Sequence, residues 1–133
     1  MKNKMKEWEG TPFPEMIRGL PEVDMPFQGI RAWLLQSQDQ QVVFFDIEAV
    51  GEVPPHSHCA QWGIMVEGEM SLTISGKSKV YRKGEWYYIP EGMVHSATFH
   101  TRVNVIDVFD DPERYKAKQD KTQINKKPSK DRV

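Results

Sequence analysis

From residue 30 onward the chain alternates short runs of β-forming residues with turn residues, which predicts a succession of strands and little helix. The period of two is clearest where Met70, Leu72 and Ile74 share one face of a run and polar residues occupy the other face. Residues that favour turns separate one run from the next. The predicted strands cover residues 30–36, 41–50, 62–66, 70–75, 78–82, 85–89, 95–100 and 102–109.

Eight short strands in a chain of 133 residues are typical of a single-domain, all-β barrel or jelly roll. Residues 42–45 and 103–109 are apolar on both faces, so these two strands should be the most buried. We therefore expect an N-terminal arm over residues 1–29, a barrel over 30–110 and a C-terminal segment over 111–133.

Both ends of the chain lie outside the strand pattern. The arm contains four prolines, which remove amide donors and favour an extended chain over a helix. These prolines are Pro12, Pro14, Pro21 and Pro26. Residues 113–118 favour a short helix, with Asp111 as its N-cap and Pro112 at its first position. Residues 116–133 form a basic tail with a charge of +5, either solvated or in contact with nucleic acid or an acidic surface.

Composition and charge narrow the classes of function. The single cysteine, Cys59, excludes an intrachain disulfide, and no apolar stretch approaches the roughly 20 residues needed to cross a bilayer. The N-terminus is charged but lacks the apolar core of a secretory signal, so we expect a cytoplasmic protein. The body of the chain lacks the basic stripe with interleaved aromatic residues that marks a nucleic-acid binder.

The strongest chemical signal is the pair His56 and His58, which follows Pro54 and Pro55. In an extended segment residues i and i+2 project from the same face, so the two imidazoles can chelate one metal ion. The prolines stiffen the approach and lower the entropy lost when the ligands are fixed. The histidine pair therefore predicts a metal site, although two histidines on a strand are also common on protein surfaces.

Two further spacings accompany the histidine pair, Gln-x₆-Gly and Gly-x₅-Pro-x-Gly-x₂-His. They are formed by Gln61, Gly68, Gly84, Pro90, Gly92 and His95. With the histidine pair and Gly51 before it, the sequence resembles the two motifs of the cupin superfamily. This resemblance implies a small β-barrel that holds a divalent metal ion inside it.

The ligands that the resemblance implies are His56, His58, Gln61 and His95. Gln61 stands where the family usually has Glu, and Phe99 stands where it usually has Asn. A neutral carboxamide in place of a carboxylate should make the metal more Lewis acidic and bind it less tightly. Such a site favours Zn, Ni, Fe, Mn or Co over Mg or Ca, with open positions for water or an oxygen ligand. A barrel without metal is the alternative.

Two other side chains near these motifs have ligand chemistry. Cys59 adjoins His58 and should point away from the metal, and His100 should lie on the outer face of its strand.

The period of two also assigns the walls of the pocket. Taking Gln61 as inward brings Met65 to the pocket side, and taking His95 as inward brings Phe99 to it. The small Gly63 and Ala97 share these faces and leave room for a ligand. Four other aromatic residues are candidates for the walls, although each is expected to belong to the core instead. They are Trp33, Phe45, Trp86 and Tyr88.

Asp107 lies in the middle of a strand that is apolar on both faces, where a carboxylate without a partner would be costly. If it faces inward with Phe109, it enters the metal pocket with a shifted pKa suited to acid–base catalysis. The alternative is a structural ion pair with Arg31 or Arg114.

A narrower resemblance follows from the end of the barrel. The run Ile106-Asp107-Val108-Phe109 followed by Arg114, together with Gln61, resembles small cupins of the pectin-degradation type. Those proteins convert 4,5-unsaturated monouronates into linear ketouronates. The resemblance implies that Asp107 is the catalytic acid–base and that Arg114 binds the substrate carboxylate.

Two other functions stay open from the sequence. Three histidines with open positions suit an Fe(II)-dependent dioxygenase, and a cupin can also bind a sugar or small acid without catalysis. For either function we expect a small-molecule ligand. We also expect a homodimer, because the arm and the exposed sheet edges need cover.

Overall fold

Nine β-strands and one short helix are formed by residues 11–49 and 51–119, which are the residues that this computed structural model describes. The helix, α1, covers Glu15–Arg18. The strands are β1 Ile30–Gln36, β2 Gln41–Ile47, β3 Gly51–His56, β4 Gln61–Glu67, β5 Glu69–Ile74, β6 Lys77–Arg82, β7 Trp86–Ile89, β8 His95–Phe99 and β9 Val103–Phe109.

The strands form two antiparallel sheets. One sheet has the order β1-β2-β9-β4-β7 and the other has the order β3-β8-β5-β6. Residues such as Met65, Leu72 and Phe109, which alternate with more exposed neighbours, fill the space between the sheets. The predicted all-β jelly roll is therefore confirmed.

Strand β3 was not among the predicted strands. Pro54 and Pro55 occupy its second half, and proline cannot donate a hydrogen bond to a neighbouring strand. β3 tolerates them because it lies at the edge of its sheet and pairs with β8 alone, with an irregular register between Val53 and His56. All eight predicted strands occur. The first has the predicted bounds and the other seven have shifted ends; the second, for example, ends at Ile47 instead of residue 50.

The N-terminal arm packs on the barrel of its own chain over its described part. Phe13 is buried, with its ring 6.2 Å from that of Trp33 and 5.7 Å from that of Phe44. The expectation of an arm without helix is wrong at Glu15–Arg18, which form a single turn. Pro14 precedes this turn, where its missing amide costs no helical hydrogen bond.

The predicted helix over residues 113–118 is wrong. The amide of Glu113 does donate to Asp111 Oδ1 at 2.8 Å, as in a helix cap, but the chain then becomes extended. Ala117 forms a β-bridge with Val23 of the arm. Pairing with the arm satisfies backbone groups that a helix would have satisfied internally, and it buries Val23.

Gln41 holds the start of this C-terminal segment. Its buried side chain accepts the amide hydrogen of Tyr115 and donates to the carbonyl oxygens of Pro112 and Tyr115, each at 2.9 Å. One side chain on β2 therefore fixes the stretch that carries Arg114. The part of the basic tail after residue 119 lies outside the described residues.

Within the described chain, no helix is long and apolar enough to span a membrane.

Candidate metal centre and cavity

A cavity of about 500 Å³ lies between the two sheets. Strands of both sheets line it, together with the arm around Met25 and the C-terminal segment around Tyr115. Most of its wall is apolar, and a small set of polar groups reaches it, as is usual for small-molecule sites. The three histidines of the predicted metal site are among these groups.

The register of β3 brings two of these histidines together. His56 ends β3 and lies opposite His95, the first residue of β8, because the irregularity after Val53 shifts the pairing. Their ring centroids are 4.2 Å apart. His58 follows in the loop to β4, with its ring centroid 5.1 Å from that of His56 and 4.8 Å from that of His95.

Each of the three imidazoles is oriented by a backbone carbonyl of its own segment. The Nδ1 atoms of His56, His58 and His95 lie 2.9 to 3.0 Å from the carbonyl oxygens of Pro54, Cys59 and Met93. A carbonyl oxygen can only accept a hydrogen bond, so Nδ1 carries the proton and Nε2 keeps a free lone pair. The ligand atoms of the three side chains lie within 4.8 Å of one another.

The surroundings favour the neutral form of two of the three rings, those of His58 and His95. Burial and the nearby Arg114 lower the pKa of His58 to about 4, and burial likewise lowers the pKa of His95. A neutral imidazole is the form that binds metal. The three histidines are therefore positioned for metal binding.

Gln61, the fourth predicted ligand, is the first residue of β4 and lines the same cavity. Its Oε1 is buried and has no hydrogen-bond partner among the described residues. A buried carbonyl oxygen without a donor is unusual, and a cation beside it would remove the cost. Three converging imidazoles fit a divalent transition metal, and Gln61 as the fourth ligand stays a prediction.

The other two candidate ligands lie outside the cluster. The Sγ atom of Cys59 is 3.9 Å from Nδ1 of His58, on the side of that ring where the proton is held. His100 is exposed, and its Nε2 is 2.6 Å from the hydroxyl of Ser71. Neither belongs to the group of converging ligand atoms.

Asp107 lies on the inner face of β9, is 3% exposed and lines the cavity. Tyr87 donates a hydrogen bond to its Oδ1 at 2.7 Å. Burial raises the pKa of Asp107 to about 6, and interactions with the side chains of Tyr87 and Gln61 limit the rise. The alternative of a structural ion pair between Asp107 and Arg31 is wrong, because Arg31 contacts Asp46 instead.

Arg114 reaches the cavity from the C-terminal segment. Its guanidinium carbon lies 4.4 Å from the ring centroid of Tyr115 and 5.6 Å from that of Phe109, so two aromatic faces support it. Its Nε is buried without a hydrogen-bond partner, and the guanidinium has no ion pair within the described chain. Arg114 is thus a positive charge with donors available to a ligand.

Of the predicted pocket walls, Phe99, Phe109 and Phe45 line the cavity. Met65 is 1% exposed in the core, and the described cavity wall does not include it. Trp33 is also buried, but beneath Phe13 of the arm and away from the cavity.

Two aromatic residues expected in the core or the wall are exposed. Trp86 is 61% and Tyr88 is 54% exposed, because they occupy the outer face of β7. The sequence reasoning missed Tyr87, which lies between them and faces inward. The alternation of this short strand could have identified it, since neighbours in a strand point to opposite faces.

Comparison with known proteins agrees with this geometry. The family model of the cupin domain matches residues 43–109, and the chain therefore belongs to the cupin family. No curated protein matches the chain.

Several solved structures share the fold. An RmlC-like cupin from Shewanella frigidimarina is 27% identical, with a TM-score of 0.63 over 71% of this chain and 86% of that one. KdgF from Halomonas sp. is 23% identical, with a TM-score of 0.61 over 69% and 86%. Oxalate decarboxylase from Bacillus subtilis, described with Mn(II) centres, is 24% identical, with a TM-score of 0.57 over 69% of this chain and 28% of that one.

Proposed function

We propose that this cupin is a metal-dependent enzyme of sugar acids, which opens 4,5-unsaturated monouronates to linear ketouronates. The observation that carries the proposal is the shared cavity of three metal-binding imidazoles, the buried carboxyl of Asp107 and the guanidinium of Arg114. The resemblance of the Ile106-Asp107-Val108-Phe109 run and Arg114 to cupins of the pectin-degradation type supplies the class of substrate.

In this proposal His56, His58, Gln61 and His95 hold Zn, Ni, Fe, Mn or Co. The bound metal supplies a Lewis acid that polarises a substrate oxygen. Arg114 binds the substrate carboxylate through charge-assisted hydrogen bonds, which its flat guanidinium can make in pairs. The aromatic rings beneath Arg114 hold it in place, so little side-chain entropy is lost when the substrate binds.

Asp107 moves the proton. The C1 hydroxyl of the cyclic substrate loses its proton as the C1–ring oxygen bond breaks, which leaves a C1 aldehyde and an enolate over C5 and C4. Protonation at C4 then gives the C5 ketone, so the reaction is an isomerisation without net gain or loss of atoms. A carboxyl group with a pKa near 6 can serve as both base and acid at neutral pH.

The proposal is tested with metal-loaded protein and a 4,5-unsaturated monouronate. We expect the absorbance of the conjugated double bond to fall, and Asp107→Asn to lower kcat by at least about 100-fold. Asp110→Asn is the matched control, because Asp110 is exposed one residue after β9 and its side chain accepts a hydrogen bond from the surface residue Gln40. Metal analysis of protein purified without chelator precedes the assay.

One outcome separates an enzyme from a binding protein. If the wild type binds the uronate but leaves its absorbance unchanged, and Asp107→Asn binds equally well, the chain is a non-catalytic sugar-acid binder and the proposed reaction is wrong. A metal content below about one ion per chain would contradict the metal-dependent reaction as well.

We also propose that the chain works as a homodimer. The outer face of β4 and β7 exposes three large aromatic side chains, Trp62, Trp86 and Tyr88. Tyrosine and tryptophan are enriched at protein interfaces, and an exposed aromatic patch on a sheet face is typical of a docking surface. The cytoplasmic location expected from the sequence stays a prediction.

A further inference from the structure

Three neighbouring strands bring Tyr87 and Asp107 together above a glycine. Gly63 of β4 pairs with Tyr87 of β7 on one side and with Asp107 of β9 on the other. The two flanking side chains lean over it, and Tyr87 Oη donates to Asp107 Oδ1 at 2.7 Å. A Cβ atom at residue 63 would overlap both the carboxylate oxygen and the tyrosine ring.

The hydroxyl of Tyr87 has no role in filling the core. A phenylalanine ring would pack equally well against Tyr81, whose ring centroid lies 5.4 Å away. A buried hydroxyl is costly unless it is hydrogen-bonded, and Asp107 is the partner that the structure gives it. The hydroxyl therefore acts on the carboxyl group of Asp107.

We propose that Tyr87 is a positioning residue for Asp107, and that Gly63 is the opening that allows the two to meet. The hydrogen bond engages Oδ1 and fixes the plane of the carboxyl group that exchanges a proton with the substrate. This inference rests on the proposed catalytic role of Asp107. It adds a residue that acts through Asp107 and needs no contact with the substrate.

Kinetics of Tyr87→Phe on metal-loaded protein test the inference. We expect kcat for the unsaturated uronate to fall by roughly 10- to 100-fold, because a misoriented acid–base group slows proton transfer. KM and metal content should stay within about twofold of the wild type, since the guanidinium of Arg114 and the histidines are untouched. Tyr81→Phe is the matched control, a buried tyrosine in contact with Tyr87 whose loss of hydroxyl should leave kcat unchanged.

A second measurement does not depend on turnover. In zinc-loaded protein labelled with ¹³C at the aspartate carboxyl carbons, the Asp107 resonance is assigned by its loss in Asp107→Asn. We expect Tyr87→Phe to shift this resonance and Tyr81→Phe to leave it in place. Gly63→Ala should shift it as well, because the added methyl group separates the two side chains.

The outcomes separate this inference from the proposed function. An inactive wild type overturns the proposed reaction, and the carboxyl resonance then decides alone whether Tyr87 holds Asp107. With an active wild type, a kcat of Tyr87→Phe equal to that of Tyr81→Phe overturns the positioning role and leaves the reaction standing. An unmoved Asp107 resonance in Tyr87→Phe overturns it in either case.

Discussion

A backbone carbonyl orients each imidazole of the candidate metal centre. Each Nδ1 contacts a carbonyl one or two residues away in its own segment, so the local backbone fixes the direction of each ring. Preorganised ligands lose less entropy when a metal arrives, which raises its affinity. In the proposed site this arrangement would compensate in part for the neutral oxygen of Gln61, because a carboxamide is a weaker ligand than a carboxylate.

Removal of His95 tests this centre. We expect His95→Ala to lower the zinc content from about one ion per chain to well below half, because it removes the most buried of the three imidazoles. His100→Ala is the control, since His100 is exposed and contacts Ser71. Metal analysis after dialysis measures both variants, and full zinc retention in His95→Ala would show that these histidines do not form the site.

At the scale of elements, side chains on β2 hold segments that are distant in sequence. Gln41 fixes the C-terminal segment through its hydrogen bonds to Pro112 and Tyr115. Asp46, near the other end of the same strand, accepts two hydrogen bonds from Arg102, at 2.8 and 2.7 Å, just before β9 begins. β2 therefore supports two parts of the chain: Asp46 holds the residue that precedes β9, and Gln41 holds the segment that carries Arg114.

Loss of the Gln41 side chain should release the C-terminal segment. Gln41→Ala removes the hydrogen bonds that its side chain makes to the amide and the carbonyl of Tyr115, while the carbonyl of Pro112 keeps the one from Gln36, so we expect the free energy of unfolding to fall by about 2 kcal/mol. We also expect faster hydrogen exchange at the Tyr115 amide and a higher KM, because Arg114 loses its support. Gln40→Ala, one residue away and exposed, should change none of these three quantities. Unchanged exchange in Gln41→Ala would contradict this account.

The ion pair of Asp46 differs from the pairs on the surface. Arg102→Met leaves a carboxylate that is 3% exposed with only the longer contact to Arg31, at 3.5 Å, so we expect a loss of roughly 1 to 3 kcal/mol. Arg82→Met breaks the surface pair with Glu69 and should cost less than about 1 kcal/mol. Urea denaturation of both variants measures the difference, and equal losses would rule out a special role for burial.

At the scale of the whole molecule, the two ends of the five-stranded sheet differ on its outer face. The arm covers the outer face near β1 and β2, where Phe13 packs on Trp33 and Phe44. No described segment covers the aromatic residues around Trp86 in the same way. A second copy of the chain would bury them without blocking the cavity between the sheets.

If the chain is a homodimer through the aromatic patch, a charge inserted there should lower the mass of the assembly in solution. Trp86→Glu places a carboxylate in the aromatic patch, so we expect light scattering after gel filtration to change from a dimer to a monomer. Val94→Glu adds the same charge at another exposed apolar residue, in the loop between β7 and β8, and should remain dimeric. A monomeric wild type, or a dimeric Trp86→Glu, would show that this face is not the interface.

The sequence by itself determined most of the strands and the grouping of the histidines, because both depend on local order. Alternation of polar and apolar residues is a property of neighbours along one strand, and a ligand motif places His56 and His58 within one short segment. The motif spacing to His95 added the third ligand through the family resemblance. The prediction missed β3, because Pro54 and Pro55 weaken the strand signal of its sequence. The structure accommodates these prolines because β3 lies at the edge of its sheet.

Only the tertiary structure decided what depends on residues distant in sequence. The segment around Ala117 has a local preference for helix, but pairing with Val23 and the hydrogen bonds of Gln41 favour an extended chain. The environment of Asp107 likewise comes from other strands of the sheet, because β4 beside β9 supplies the space above Gly63 and β7 beyond it supplies Tyr87. A single strand determines which residues share a face, whereas the partners of a buried carboxyl group are determined by how the strands are ordered in the sheet.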